Sequence, residues 1–415
     1  MGIELNKKKA GWLNRNVLAM GLTSLFGDAG HEMVTAVLPS FLVTIGSGSA
    51  VLGFIEGFSD GASSLVKAFT GYLSDKIGKR KPLMNAGYFF TGVFTPLIAV
   101  TNSWFQVLCL RVTAWLGRGA RGPARDALLS DSASSEDRGK AFGFHRTMDT
   151  LGAIIGPALA LFLLPFLSYN QIIAIAIIPG VIAFLIVLFF VREVQKKPQV
   201  RSPMAFPRRD MVTGKGFVKS LKTLPKSFKL FIVGVAVFGL GNFANSLFTL
   251  RAQEVLAPTM GALQASVIAV GLYTLLNITY AASSLPIGAL SDRIGPRRIL
   301  AAGYFISAIA CLGTAFITAD FEFLIPLFLL AGIFTAITDT IEATAAADIL
   351  PSESMGVGFG VLQTINGVGD FASSAVVGVL WAVASPLVAF VYAALLSTAG
   401  GIILLYLTRE KHELR

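Results

Sequence analysis

Apolar residues along this chain run in blocks. Neither the strict alternation of a half-buried strand nor the narrow stripe of a surface helix describes them. Runs near twenty residues recur from one end of the sequence to the other. A helix of that length crosses a hydrocarbon layer about 30 Å thick while satisfying its own backbone. Twelve spans are predicted, the first six near residues 17–45, 50–74, 82–101, 104–129, 140–165 and 171–191. The second six fall near 230–256, 264–290, 299–318, 322–349, 356–381 and 385–408. Between the two sets lies one long basic stretch, residues 192–229. The pattern is that of an all-α membrane protein.

Composition agrees. Of 415 residues, 54% are hydrophobic and 14% charged, against about a quarter charged in soluble domains. A surface that apolar is compatible with lipid. Cys109 and Cys311 each sit inside an apolar run, where cysteine packs as a small apolar residue; they make neither a disulfide framework nor a metal-type pair. The first run follows Lys7, Lys8 and Lys9 but holds Asp28, His31 and Glu32 and lacks a small-residue cleavage site. It is therefore expected to be a span, not a signal peptide.

The net charge of +10 would suit nucleic acid if it formed a patch, but it does not. Of 34 Lys and Arg, 27 fall in the N-terminal segment, 76–81, 138–140, 192–229, 293–298 and the C-terminal tail, all on one side of the predicted spans. The other seven, Lys67, Arg111, Arg118, Arg121, Arg125, Arg146 and Arg251, lie within spans. Positive loops mark the cytoplasmic side, so both termini and the 192–229 loop are expected there, in a multi-pass protein of the cytoplasmic (inner) membrane. No nucleic-acid partner is expected.

The sequence also repeats itself. Gly71-Tyr-Leu-Ser-Asp75-Lys-Ile-Gly78-Lys-Arg80-Lys returns 217 residues later as Gly288-Ala-Leu-Ser-Asp292-Arg-Ile-Gly295-Pro-Arg297-Arg. At the same offset Asp131 meets Asp348, and Phe142-Gly143 meets Phe359-Gly360. Two homologous six-span bundles follow, residues 1–191 and 230–415, joined by the linker 192–229. Repeated halves with a solute site near the midplane between them are a transporter plan. The doubled motif Gly-x-x-x-Asp-[Arg/Lys]-x-Gly-x-Arg-[Arg/Lys] resembles the signature of the major facilitator superfamily, and the resemblance covers essentially the whole chain. It implies a twelve-helix fold around a central cavity. Charge placement points the same way: spans 3, 6, 9 and 12 contain no Asp, Glu, Lys, Arg or His, so every third helix is expected outermost, against lipid.

Candidate chemistry lies inside the spans. Asp28, His31 and Glu32 are three and four residues apart near mid-depth of the first span, on one helix face. Two carboxylates so close repel, which suits one of them to carrying a proton. On the fourth span Arg111, Arg118 and Arg125 are seven apart, with Arg121 beside them. The guanidinium fork fits carboxylate or phosphate, whether from a solute or from protein acids; Asp149, Asp60, Glu56 and Asp75 are available. His145, Arg146 and Asp149 open the fifth span, where Arg146 and Asp149 can pair or Asp149 can answer Arg118 or Arg121. Asp60 and Lys67, two turns apart on the second span, are expected to bridge. The second half lacks most of these charges, so ion chemistry is expected in the N-terminal half and solute shape in the C-terminal half.

The resemblance adds gating roles. Asp75 resembles the family's gate aspartate, which caps the eleventh span and pairs with an arginine of the fourth; Asp292 is the equivalent opposite the fifth span. Gly71, Gly78, Gly288 and Gly295 allow close approach and tight turns, with Arg80 and Arg297 completing the motif. Gly143, Gly152, Gly156 and Pro157 reproduce the spacing Gly-x8-Gly-x3-Gly-Pro, which resembles the antiporter motif of exporters in the superfamily, although its trailing Gly-Gly is replaced by Ala160-Leu161. The stretches 117–126 and 142–149 resemble a prokaryotic branch described mostly as permeases, some as metal-resistance exporters.

The expected function is proton-coupled export of a cationic or amphiphilic solute, or of a metal ion held as cargo by His31, Asp28 and Glu32. The alternative is a symporter importing an organic anion. No catalytic constellation, cofactor site, resident metal or ATP-binding loop is apparent, so an enzyme is not expected. Protons, a small solute and the lipid bilayer are the expected partners of a monomer.

Overall fold

The computed structural model describes residues 13–77, 79–134, 137–194, 224–317, 321–350 and 355–413. Most of the predicted linker and the turn residue Gly78 lie outside them, as does the side chain of Asp75.

The described residues form helices and no strands. In chain order these are α1 (Arg15–Thr44), α2 (Ser49–Ile77), α3 (Lys81–Leu97), α4 (Trp104–Ser132), α5 (Arg138–Leu163), α6 (Tyr169–Ile175) and α7 (Ile177–Phe190). Then follow α8 (Lys226–Gly239), α9 (Ser246–Met260), α10 (Ala262–Ile294), α11 (Pro296–Ala315), α12 (Phe321–Ala347), α13 (Met355–Val383) and α14 (Pro386–Glu413). Local chemistry sets several ends. Asn14 caps α1 by accepting from the N–H groups of Asn16 and Val17. The Glu193 carboxylate accepts from the N–H of Arg80 at 3.0 Å and of Lys81 at 2.8 Å, neutralising orphan donors at the start of α3. Gly295, at φ +98°, makes the turn from α10 to α11, a conformation side chains with a Cβ resist.

Two predicted spans are broken. The sixth is interrupted at Ala176, three residues before Pro179, whose ring and missing N–H disrupt the helical ladder. The seventh, read as one helix over 230–256, is two helices, α8 and α9, with an unwound stretch over 240–245. Gly239, Gly241 and Asn242 are poor helix formers there. The freed backbone groups find partners on α13: Ser373 Oγ donates to the Asn242 carbonyl at 2.7 Å, and the Ala244 N–H donates to Ser374 Oγ at 3.0 Å. Irregular backbone at membrane depth is tolerated where such partners exist.

Eight helical units are long and apolar enough to cross a membrane: α3, α5, α6 with α7, and α10 to α14. The units that miss that measure are α1, α2 and α4, which carry charges, and the broken α8–α9 pair. Helices α1–α7 pack mainly on one another, as do α8–α14. The two groups meet most extensively along α2 and α13, and also through α5 with α10 and α1 with α9. Glycines make the first seam close: a Cβ on Gly57 would lie 2.6 Å from the Phe371 carbonyl oxygen, and one on Gly378 2.6 Å from that of Ser49. The helices that carry the charge-free spans, α3, α7, α11 and α14, stay out of these seams and expose Phe89, Phe189, Ile309 and Leu395, as a lipid-facing layer does.

The core is asymmetric. At the end remote from the N-terminus, one buried cluster joins residues of both groups, including Phe41, Leu52, Phe248, Tyr273 and Phe390. At the end where α1 begins there are two separate clusters, one around Met20, Tyr88 and Val187 and the other around Phe231, Tyr304 and Ile341. The groups are closed on each other at the far end and parted at the near end.

Candidate functional site

Between the groups lie two connected cavities of about 340 and 440 Å³, sharing Asn242, Thr338, Asp339 and Asp370. The inner one is lined by α1, α2 and α4, by the unwound stretch and by α10, α12 and α13. The outer one adds Lys67, Arg146, Glu342 and Asn366 towards the parted end.

On the wall of α1, α2, α4 and α5, the arginine stripe meets a different carboxylate at each step. Arg111 is fully buried; its Nη2 lies 3.0 Å from both Glu56 Oε1 and Thr35 Oγ1. Arg118 and Arg121 share Asp28, at 3.4 and 3.3 Å. Arg125 holds Asp126 at 3.0 Å and reaches Asp149 at 4.0 Å. Aromatic rings cover the cations: Trp115 lies 5.5 Å from Arg111 and 5.2 Å from Arg118, and Tyr88 lies 4.0 Å from Arg121. Such contacts stabilise a desolvated guanidinium by about 1–2 kcal/mol. Asp149 accepts from Ser24 at 2.7 Å and from Arg146 at 3.4 Å; the local pair with Arg146 is one the sequence offered, and the second cation is Arg125 at 4.0 Å in place of Arg118 or Arg121.

The trio on α1 is divided. Asp28 turns to the arginines, His31 packs edge-on against Trp115 with ring centroids 5.1 Å apart, and Glu32 accepts from the Tyr273 hydroxyl at 2.8 Å. Among the described residues no three His, Cys, Asp or Glu side chains converge to hold a metal ion, which removes the expected cargo ligation by this trio. Asp60 and Lys67 make no ion pair with each other among the described residues. Instead, Lys67 is exposed to the outer cavity and faces Asp60, Asp370 and Asp339 together. His145 is buried in α5.

On the opposite wall, carboxylates outnumber cations. Asp339 and Asp370 carry no ion pair within 4.0 Å among the described residues, and Glu342 is held by Asn366 and by the Tyr304 hydroxyl. Counting the two linings together, Glu32, Glu56, Asp60, Asp339, Glu342 and Asp370 make six carboxylates against three cations, Arg111, Lys67 and Arg146. Sequence reasoning missed Tyr273, Tyr280 and Asn242. Gly-Asn at 241–242 was a legible signal for the break.

The motif residues fall outside the cavity. Arg80 bonds to Asp131 and to the Ala127 carbonyl, tying α3 to α4. In the repeat, 217 residues on, Arg297 faces Asp348. Gly71 lies within α2 and Gly288 within α10. Asp292 is exposed and makes no hydrogen bond or ion pair among the described residues, at the end where the groups are parted. In the antiporter-like motif, Gly152 and Gly156 seat α5 against Leu25, Ala29 and Met33 of α1, with Pro157 buried beside them. Gly143 does not belong with them: a Cβ there would meet nothing within 4 Å.

The Major Facilitator Superfamily profile matches residues 20–257 and 252–415. An uncharacterized MFS-type transporter of Methanocaldococcus jannaschii is 34% identical over 407 residues, 98% of either chain. The chain belongs to the major facilitator superfamily. It is thus a multi-pass membrane transporter for a small solute, and no catalytic activity attaches to the family. The multidrug resistance protein MdtG of Dickeya zeae is 24% identical over 333 residues, 79% of this chain and 78% of that one. Among solved major facilitator structures, a variant of the nucleoside transporter NupG superposes with a TM-score of 0.78 at 14% identity, over 95% of this chain and 99% of that one. An inward-facing, unoccupied bacterial homolog of the lysosomal transporter Spinster gives 0.70 at 16%, over 94% of each; both show the shared fold.

Proposed function

We propose that this transporter exports an organic, amphiphilic cation in exchange for protons. The observation that carries the reading is the excess of carboxylates on the cavity lining, six against three cations. The arginines that an organic anion would need are already closed by Glu56, Asp28 and Asp149. Trp115, Phe243, Tyr273 and Phe334 supply apolar faces beside the acids, as an amphiphilic cation requires. The name of the MdtG relative, a multidrug resistance protein, points the same way.

Exchange follows from competition. Asp60 of α2 faces Asp370 of α13. A cation entering between them repels any proton they share, and a proton arriving later repels the cation. A site that holds one or the other couples the two flows without a second site. Here the carboxylates that exchange protons lie on both walls, unlike the expected concentration in the N-terminal half. With both termini and the 192–229 loop on the cytoplasmic side of the cytoplasmic membrane, the parted end faces the cytoplasm and accepts cargo there. The chain needs no second copy to form this cavity and works as a monomer.

Everted vesicles with an acid interior, followed by a pH-sensitive dye, test the proposal. Ethidium or tetraphenylphosphonium should release the quench, and the Asp370→Asn variant should not. Silence with every cation, together with accumulation of a labelled organic anion by intact cells, would sink it.

A further inference from the structure

Arg146 stands apart from the arginines of α4. Its side chain is 59% exposed, within the outer cavity, and it has two partners on opposite walls. One turn along its own helix, Asp149 Oδ2 lies 3.4 Å from its Nη1. Across the α5/α10 seam its Nη2 bonds to the Tyr280 hydroxyl, with the guanidinium 5.8 Å from the ring centroid. Tyr280 in turn faces the Asp339 carboxylate, and Arg146 feels the same charge. A tyrosine face and hydroxyl beside a carboxylate form a subsite for a flat, delocalised cation. Lys67 also faces Asp339 but bonds to neither wall within 4.0 Å among the described residues; Arg146 alone of the three lining cations reaches across the seam.

We infer that Arg146 is a tethered stand-in for cargo: without cargo its guanidinium bridges Asp149 and the Tyr280–Asp339 subsite, and an arriving cation takes the subsite by leaving Arg146 to Asp149 alone. The inference rests on the cationic reading above and narrows it to flat, delocalised cations such as amidinium, guanidinium or aromatic ammonium groups, which can match what Arg146 offers the Tyr280 ring. A compact ammonium or a metal ion cannot. Displacement also carries news of cargo across the protein. Asp149 also holds Ser24 and Arg125, so drawing Arg146 wholly onto Asp149 reaches α1 and α4 in one step.

A tethered competitor lowers the apparent affinity of the ligand it mimics by the fraction of time it occupies the site. If it is in place nine-tenths of the time, removing it tightens binding about tenfold. The experiment is ethidium binding to the purified full-length transporter, read by fluorescence, for wild type, Arg146→Gln and Arg146→Lys. Thermal unfolding serves as the check that the exposed position has not disturbed the fold. Arg146→Gln should bind ethidium about tenfold tighter than wild type, with tetraethylammonium gaining little, and Arg146→Lys should fall between. Equal or weaker ethidium binding by a folded Arg146→Gln overturns the inference and leaves the cationic reading standing. If wild type binds no ethidium but binds benzoate, and Arg146→Gln loses the benzoate, the cationic reading falls and the inference with it.

Discussion

The two walls of the cavity treat ionisable side chains in opposite ways. On the wall of α1, α2, α4 and α5, each arginine of the α4 stripe has a carboxylate within 4.0 Å, and the inner three lie under an aromatic ring. On the wall of α10, α12 and α13, Asp339 and Asp370 stand without ion pairs among the described residues, bordering open space. Matched charge deep in a bundle fixes the positions of helices, and removing one partner leaves the other stranded. Unmatched charge facing water can be satisfied by whatever enters. The first wall is therefore built to persist and the second to bind.

That contrast can be broken most directly at Arg111. Glu56→Gln strips the counter-charge from a guanidinium with 0% exposure and should cost about 3–5 kcal/mol. Thermal unfolding would register this as a large drop, recovered by adding Arg111→Met; an unaltered midpoint for the single variant would mean the first wall is not structural. Next comes the seating of α5 on α1. A Cβ on Gly156 would lie 2.8 Å from the Met33 nitrogen, so Gly156→Ala should cost about 1–3 kcal/mol in the same assay. On the second wall the effect should move from stability to binding: Asp339→Asn keeps the wild-type unfolding midpoint but weakens a lipophilic cation about tenfold, roughly 1.4 kcal/mol. A fall in stability with affinity intact would reverse the assignment of the two walls. The smallest effect belongs to Gly143→Ala, with open space around its Cβ; it should be neutral or stabilising within about 1 kcal/mol.

The first wall was largely legible in the sequence because local spacing decides it. Residues seven apart on α4 keep one bearing over two turns, so Arg111, Arg118 and Arg125 had to meet whatever acids the neighbouring helices presented. The 217-residue repeat pointed to the two groups of helices, and the helices carrying the charge-free third, sixth, ninth and twelfth spans stay out of the seams between them. What escaped was whatever depends on how the two groups meet. Glu32 and Tyr273 are 241 residues apart, and nothing local to either foretells the bond. At Asp149 the local partner Arg146, three residues away on the same helix, was legible, whereas Arg125 reaches it from α4, a meeting of two helices that spacing within either does not carry. Lys67 was given to Asp60 because the two share a helix face, whereas the cavity also brings Asp370 and Asp339 of the other group to face it.

The unwound stretch over 240–245 has a mechanical meaning. An intact helix resists bending because each turn is tied to the next by backbone hydrogen bonds; here that ladder is already open, and the section acts as a joint. The far arm, α9, is anchored by Gln253, which meets Ser40 of α1 at 2.8 Å, and by Leu247, Phe248 and Leu250 in the shared core. The near arm, α8, belongs instead to the cluster that stands clear of the first group. Two hydroxyls of α13 pin the joint, at about 1 kcal/mol apiece. Swinging the near arm therefore breaks no helical ladder, and the far-end seal need not be disturbed while the mouth of the cavity narrows.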